Sequence, residues 1–176
     1  MLRALSIAVA AAALLALGSF ALLQIESVQD EARCWVTVGF YSPHKQGPVP
    51  AGTPVVQAQA ETEPVFNSCD AADDPAIWVN RENPEASLVV GTNKRRGLNV
   101  YNLSGELLSQ VRIGQTNNVD VREYRLGSRE VVVIGATDKG TSEIVLFELD
   151  PTNGRLHELP SRIQTRVEVE TYGFCL

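Results

Sequence analysis

Three aspartates, Asp70, Asp73 and Asp74, crowd into CDAADDPAIWVN, residues 69–80, a segment without Lys or Arg. Carboxylates this close repel one another unless a cation sits among them. Several carboxylates and backbone carbonyls around one ion are what Ca²⁺ takes. Glu61 and Glu63, in ETEPV just upstream, are further oxygen donors. The plainer alternative is that the aspartates cap turns and are solvated. The segment is not an EF-hand loop, because the Asp-x-Asp-x-Asp-Gly order is absent.

The opposite charge gathers in GTNKRRG, residues 91–97, where Lys94, Arg95 and Arg96 are consecutive. Lys139 takes the place of Lys94 in a second, similar stretch. Cations beside exposed backbone suit phosphate, with Arg as a fork and Lys as a point charge. Hairpin loops also carry Lys and Gly for solubility alone. A third stretch, TNNVDV at residues 116–121, brings Asn117, Asn118 and Asp120 to the start of the second repeat. These side chains either complete a calcium shell or make a turn. His44 and His157 are isolated from other metal ligands, and the chain has no G-x-S-x-G, Walker-type loop or CxxC.

The elements that hold these residues read as strands. Apolar runs bounded by Gly, Pro, Asn and Asp predict strands at 76–80, 87–91, 97–102, 107–113, 118–122, 130–136, 143–149, 155–159 and 166–172. No helical period survives after residue 75, so the class is all-β. Residues 88–111 and 132–159 follow one plan: strand, Gly, polar loop with Lys, strand, turn ending in Gly, strand. Gly91 matches Gly135, Leu98 matches Ile144 and Gly105 matches Gly154. With the strand before each, the unit is four strands, repeating about every 45 residues. That describes a β-propeller blade better than an immunoglobulin-like sandwich, which has no reason to repeat every four strands. The expectation is about two four-stranded blades and the start of a third. Two blades do not close a ring, so the sequence is expected to be the N-terminal piece of a longer protein or to assemble with other pieces. The aspartates would then lie in a loop before the first strand, at one end of the sheet.

The chain has 176 residues and a net charge of −6, which argues against a nucleic-acid partner. Arg3 precedes the uncharged stretch 4–23, with Ser19-Phe20-Ala21 as a small-x-small cleavage site. Residues 1–23 therefore read as a signal peptide, the alternative being a membrane anchor. Either places the rest outside the cytoplasm, secreted or periplasmic. Residues 24–55 read as a linker rich in Pro, Gly, Ala and Gln, and 56–176 as the folded domain. Three cysteines, Cys34, Cys69 and Cys175, leave one over whichever two pair.

The motifs ETEPV, DAADDPAIWVN, GTNKRRGLNVY, NNVDVR and ETYGF occur in the order and nearly the spacing of the β-propeller phytases. Over residues 56–176 the chain resembles that family. The resemblance implies a secreted, calcium-dependent, six-bladed phosphatase that acts on myo-inositol hexakisphosphate, usually as its calcium complex. It implies that Glu61 and Asp73 are ligands of active-site calcium ions. It implies that Asp74, with the carbonyls of Pro75 and Val119, belongs to a structural calcium site. Lys94 and Arg95 match two residues that bind substrate phosphate, and Lys139 falls where the family has an Arg. Tyr172 matches a tyrosine that hydrogen-bonds the phosphate. Asn117 and Asp120 are motif residues without an assigned duty. Most of the family's active-site carboxylates come from later blades. Four-stranded repeats alone would equally suit a non-catalytic propeller that binds calcium or a protein partner.

Overall fold

Alternating apolar residues make each strand two-faced, and the strands pair in chain order. The computed structural model describes residues 50–54, 56–67, 70–165 and 171–176. The expected signal segment, most of the linker, His44, Cys34, Cys69 and most of the strand expected at 166–172 lie outside the described residues. The chain divides into two units, 1–51 with 67–69, and 52–66 with 70–176. The second unit holds every strand described below.

Strands β1 (Ala72–Trp78), β2 (Leu88–Asn93), β3 (Gly97–Asn102) and β4 (Leu107–Arg112) form one antiparallel sheet in that order. Strands β5 (Thr116–Leu126), β6 (Arg129–Asp138), β7 (Glu143–Asp150) and β8 (Arg155–Glu158) form a second. A short β9 (Ile163–Gln164) pairs with β7 beside Glu143 and Ile144. A 3₁₀ turn, Pro84–Ala86, is the one helical element among the described residues. The all-β expectation therefore holds, with two four-stranded meanders and one added strand.

The two sheets share a core. Ala76, Trp78, Val90, Leu98 and Val100 of the first sheet cluster with Val119, Ile134, Ala136, Val145 and Phe147 of the second. The Trp78 indole N–H also donates to Glu123 across the sheets at 2.9 Å. The second sheet is covered on its other side as well: the Phe174 ring lies over Gly135, where a Cβ would meet ring atoms at 2.6 Å.

The repeat is real, but its register differs from the glycine match. Lys94 N–H donates to the Ala71 carbonyl at 2.8 Å, and Lys139 N–H donates to the Gln115 carbonyl at 2.8 Å. The lysines are therefore equivalent. Leu98 stands opposite Thr92 as Ile144 stands opposite Thr137, so that match also holds. Gly91, however, faces Pro75 as Ala136 faces Val119, so its counterpart is Ala136. Gly135 is glycine for another reason, the Phe174 ring.

Asp73 and Asp74 also lie elsewhere than expected. They are inside β1, not in a loop before it. Ala72 pairs with Asn93 and Pro75 with Gly91, so the two aspartates bulge opposite the single residue Thr92. In β5, Thr116 pairs with Asp138 and Val119 with Ala136, so Asn117 and Asn118 bulge opposite Thr137. The β5–β6 hairpin runs longer than its apolar core, to a turn at Gly127-Ser128 where Gly127 has φ +65°. Arg125–Glu130 and Arg129–Glu148 ion pairs support that polar extension.

Phe147 is fully buried and Leu126 is 61% exposed. In the full-length protein, Phe147→Ala is expected to cost about 3–5 kcal/mol of unfolding free energy. Leu126→Ala is expected to stay within about 0.5 kcal/mol of wild type in the same urea titration.

Candidate functional site

The first bulge turns Asp73 toward the β2–β3 loop, where Lys94 waits. Lys94 Nζ lies 3.1 Å from Asp70 and 3.3 Å from Asp73. Partial burial pulls the ammonium pKa down, but hydrogen bonding and charge from Asp70, then Asp73, outweigh it and raise the pKa. The ammonium thus marks a cation position between two carboxylates, standing in for any cation that could take it.

The rest of the basic run divides. Arg96 is buried and lies over the Phe66 ring, 5.5 Å from its centroid, so it serves packing. Arg95 is half-buried in the turn, where its N–H donates to the Asn93 side chain at 3.2 Å. Asp138 makes the equivalent turn in the second repeat, accepting from Gly140 N–H at 2.9 Å and Gln115 N–H at 3.1 Å. Lys139 reaches over the Tyr172 ring, 5.5 Å from its centroid.

Asp74 ties the sheets together. Its Oδ2 accepts from Val119 N–H at 3.0 Å and from the Asn118 amide at 3.2 Å. The structure thus joins Asp74 and Val119, and Pro75 follows Asp74 along β1. Asn117 donates to Asn118 at 2.7 Å and points at the Tyr172 carbonyl, 3.5 Å away. Asp120 makes a different tie: it accepts from Arg122 and Val121 on one oxygen and from Leu176 N–H at 2.9 Å on the other. Asp120 therefore anchors the C-terminal segment.

Glu61 is not brought to this cluster. Its carbonyl abuts Gly105, where a Cβ would meet it at 2.0 Å, and Gly105 has φ +84°. Gly105 lies in the β3–β4 turn, at the opposite end of the sheet from Lys94. Glu63 stands at the same turn, accepting from Leu107 N–H at 3.1 Å. His157 is exposed on β8, paired in the ladder with Glu148.

Calcium takes about six to eight oxygens. Asp70 and Asp73 supply the right donors around one cation position, but only part of a shell. Among the described residues no group of three or more acidic, His or Cys side chains converges. Two carboxylates, both paired with the Lys94 ammonium, are fewer oxygens than such a shell needs.

The sequence pattern of the phytase family matches residues 49–176. The chain belongs to the phytase family. The 3-phytase of Bacillus subtilis (strain 168) is 39% identical over 127 residues, which is 69% of this chain and 33% of that protein. This phytase-family chain thus spans about a third of the length of the curated relative it matches.

Thr92 and Thr137, both buried, were not among the residues singled out by charge. Their signal was the repeated Thr-Asn-Lys and Thr-Asp-Lys at 92–94 and 137–139.

The raised pKa of Lys94 sets a pH dependence. Its folded value exceeds the unfolded one, so the ion pairs stabilise the fold fully below the ordinary lysine value of 10.5. That stabilisation is lost as pH rises through the raised value. The Tm gap between the full-length protein and Lys94→Met is expected to hold steady from about pH 7 to about 9.5 and to shrink above about 10.5. A gap undiminished at about pH 11.5 would contradict these ion pairs.

Proposed function

We propose that this chain is part of a calcium-dependent phosphomonoesterase acting on myo-inositol hexakisphosphate, and that its two meanders are consecutive blades of a β-propeller. The observation that carries the proposal is the pair of equivalent lysines. Lys94 and Lys139 follow the same Thr-Asx step on the same end of two repeated sheets, each beside a residue of the expected site: Lys94 beside the bulge residue Asp73, and Lys139 over the ring of Tyr172 in the C-terminal segment. Family membership and the likeness to a 3-phytase support the substrate class.

The residues divide the work by charge. Asp70 and Asp73 hold a cation position at the mouth of the acidic segment. When bound, calcium supplies concentrated positive charge to phosphate oxygens. Lys94, Arg95 and Lys139 add positive charge where the phosphate gains negative charge. Tyr172, 55% exposed, presents a hydroxyl that can donate to a phosphate oxygen. An acidic protein can thereby take a polyanion, because the carboxylates first collect cations. Asp74, with the carbonyls of Pro75 and Val119, is proposed as part of a second, structural calcium site. The apolar stretch after Arg3 supports an extracytoplasmic place for the protein.

The test is phosphate release from inositol hexakisphosphate by the full-length protein, with and without calcium. Asp73→Asn is expected to lower the calcium-dependent rate by about 10²-fold or more. An Asp73→Asn enzyme of undiminished rate would sink the assignment of that residue. Calcium binding without any phosphate release by wild type would favour a non-catalytic calcium-binding propeller instead.

A further inference from the structure

Each bulge is matched by one buried threonine, and the two threonines are wired alike. Thr92 is 2% exposed and Thr137 is 0% exposed. Thr92 Oγ1 accepts the Asp74 N–H at 2.9 Å. Its hydroxyl donates to the Asn117 carbonyl at 3.1 Å, with the Asp74 carbonyl at 3.3 Å. Thr137 Oγ1 accepts the Asn118 N–H at 3.1 Å and stands 3.5 Å from the Tyr172 carbonyl. Each hydroxyl therefore grips the second residue of its own bulge and the backbone of the segment that follows. The residues reached onward are Asn117 and Tyr172. Thr92 thus links Asp74 to Asn117, and Thr137 links Asn118 to Tyr172.

We propose that Thr92 and Thr137 are positioning residues for the phosphate site, an inference that rests on the phosphatase function proposed above. A hydroxyl carries one donor and two acceptor lone pairs, so it can take an N–H from one strand and give to a carbonyl on the next. Valine has the same shape and can do neither. Serine can do both. Without the hydroxyl, the Asn117 and Tyr172 backbone loses the tie that fixes it against the preceding sheet. Their side chains then drift relative to Lys94 and Lys139. Misplacement of about 1 Å costs about 10²-fold in rate.

The variants are Thr92→Val, Thr92→Ser, Thr137→Val and Thr137→Ser in the full-length protein, with Ser109→Ala as the control. Ser109 Oγ also makes a cross-sheet bond, to the Gly154 carbonyl at 2.5 Å, but that bond lies toward the other end of the sheets. Tm, kcat and KM for phosphate release are measured well below every Tm, and a crystal structure of Thr92→Val is determined. Both valine variants are expected to lose about 10- to 100-fold in kcat with a smaller change in KM. The serine variants are expected to recover most of it. Ser109→Ala is expected to lose Tm and keep kcat. In the crystal, the Asn117 carbonyl is expected to move away from residue 92. Valine variants that lose only Tm, as the control does, overturn the proposal, as does an unmoved Asn117. An inactive wild type would sink the phosphatase function, while the position of Asn117 would still decide the structural half.

Discussion

A bulge in a buried strand leaves a backbone N–H facing a partner strand with no ladder carbonyl to receive it. Such a group costs free energy unless something else accepts it. Here a threonine hydroxyl does so twice, at Asp74 and at Asn118. The rest of the site follows from that solution. The bulges let two residues stand where a regular strand allows one. They turn Asp73 toward Lys94 and bring the Asp74 carboxylate to Val119 N–H of the next sheet. The sheets also share one hydrophobic core, so a displacement at the bulges is resisted from both sides.

Charge is then distributed over that frame in alternating sign. Asp70 and Asp73 flank an ammonium, and Lys139 flanks an aromatic face. The two carboxylates that hold Lys94 are themselves partly exposed to water, so a stronger ligand can compete for them. A divalent cation competing for Asp70 and Asp73 would leave the Lys94 ammonium to a new partner. Arg96, by contrast, is committed to packing over Phe66. The three adjacent basic residues are thus not equivalent.

Much of this was legible in the sequence because strands and turns announce themselves locally. Apolar alternation located nearly every strand core, and the Lys94–Lys139 equivalence survived in the hydrogen bonds. What escaped was non-local. The glycine match failed because Gly135 answers to Phe174, a contact no repeat pattern encodes. The aspartates read as a loop because Asp and Pro are poor strand formers. The Thr92 hydroxyl overrides that preference by capping the bulge. Glu61 looked close to the aspartates along the chain, but the backbone carries it to the far turn at Gly105. The polar tip of the β5–β6 hairpin was invisible to a hydrophobic period and is held by ladder pairing and ion pairs.

The central claim is that two equivalent lysines, set by two equivalent bulges, face one phosphate. A crystal structure of the full-length protein grown with calcium and inorganic phosphate tests it most directly. The expected result is a cation on Asp73 and a phosphate within hydrogen-bond reach of both Lys94 and Lys139. A phosphate bound away from both lysines, with Lys94 still held between Asp70 and Asp73, would contradict it.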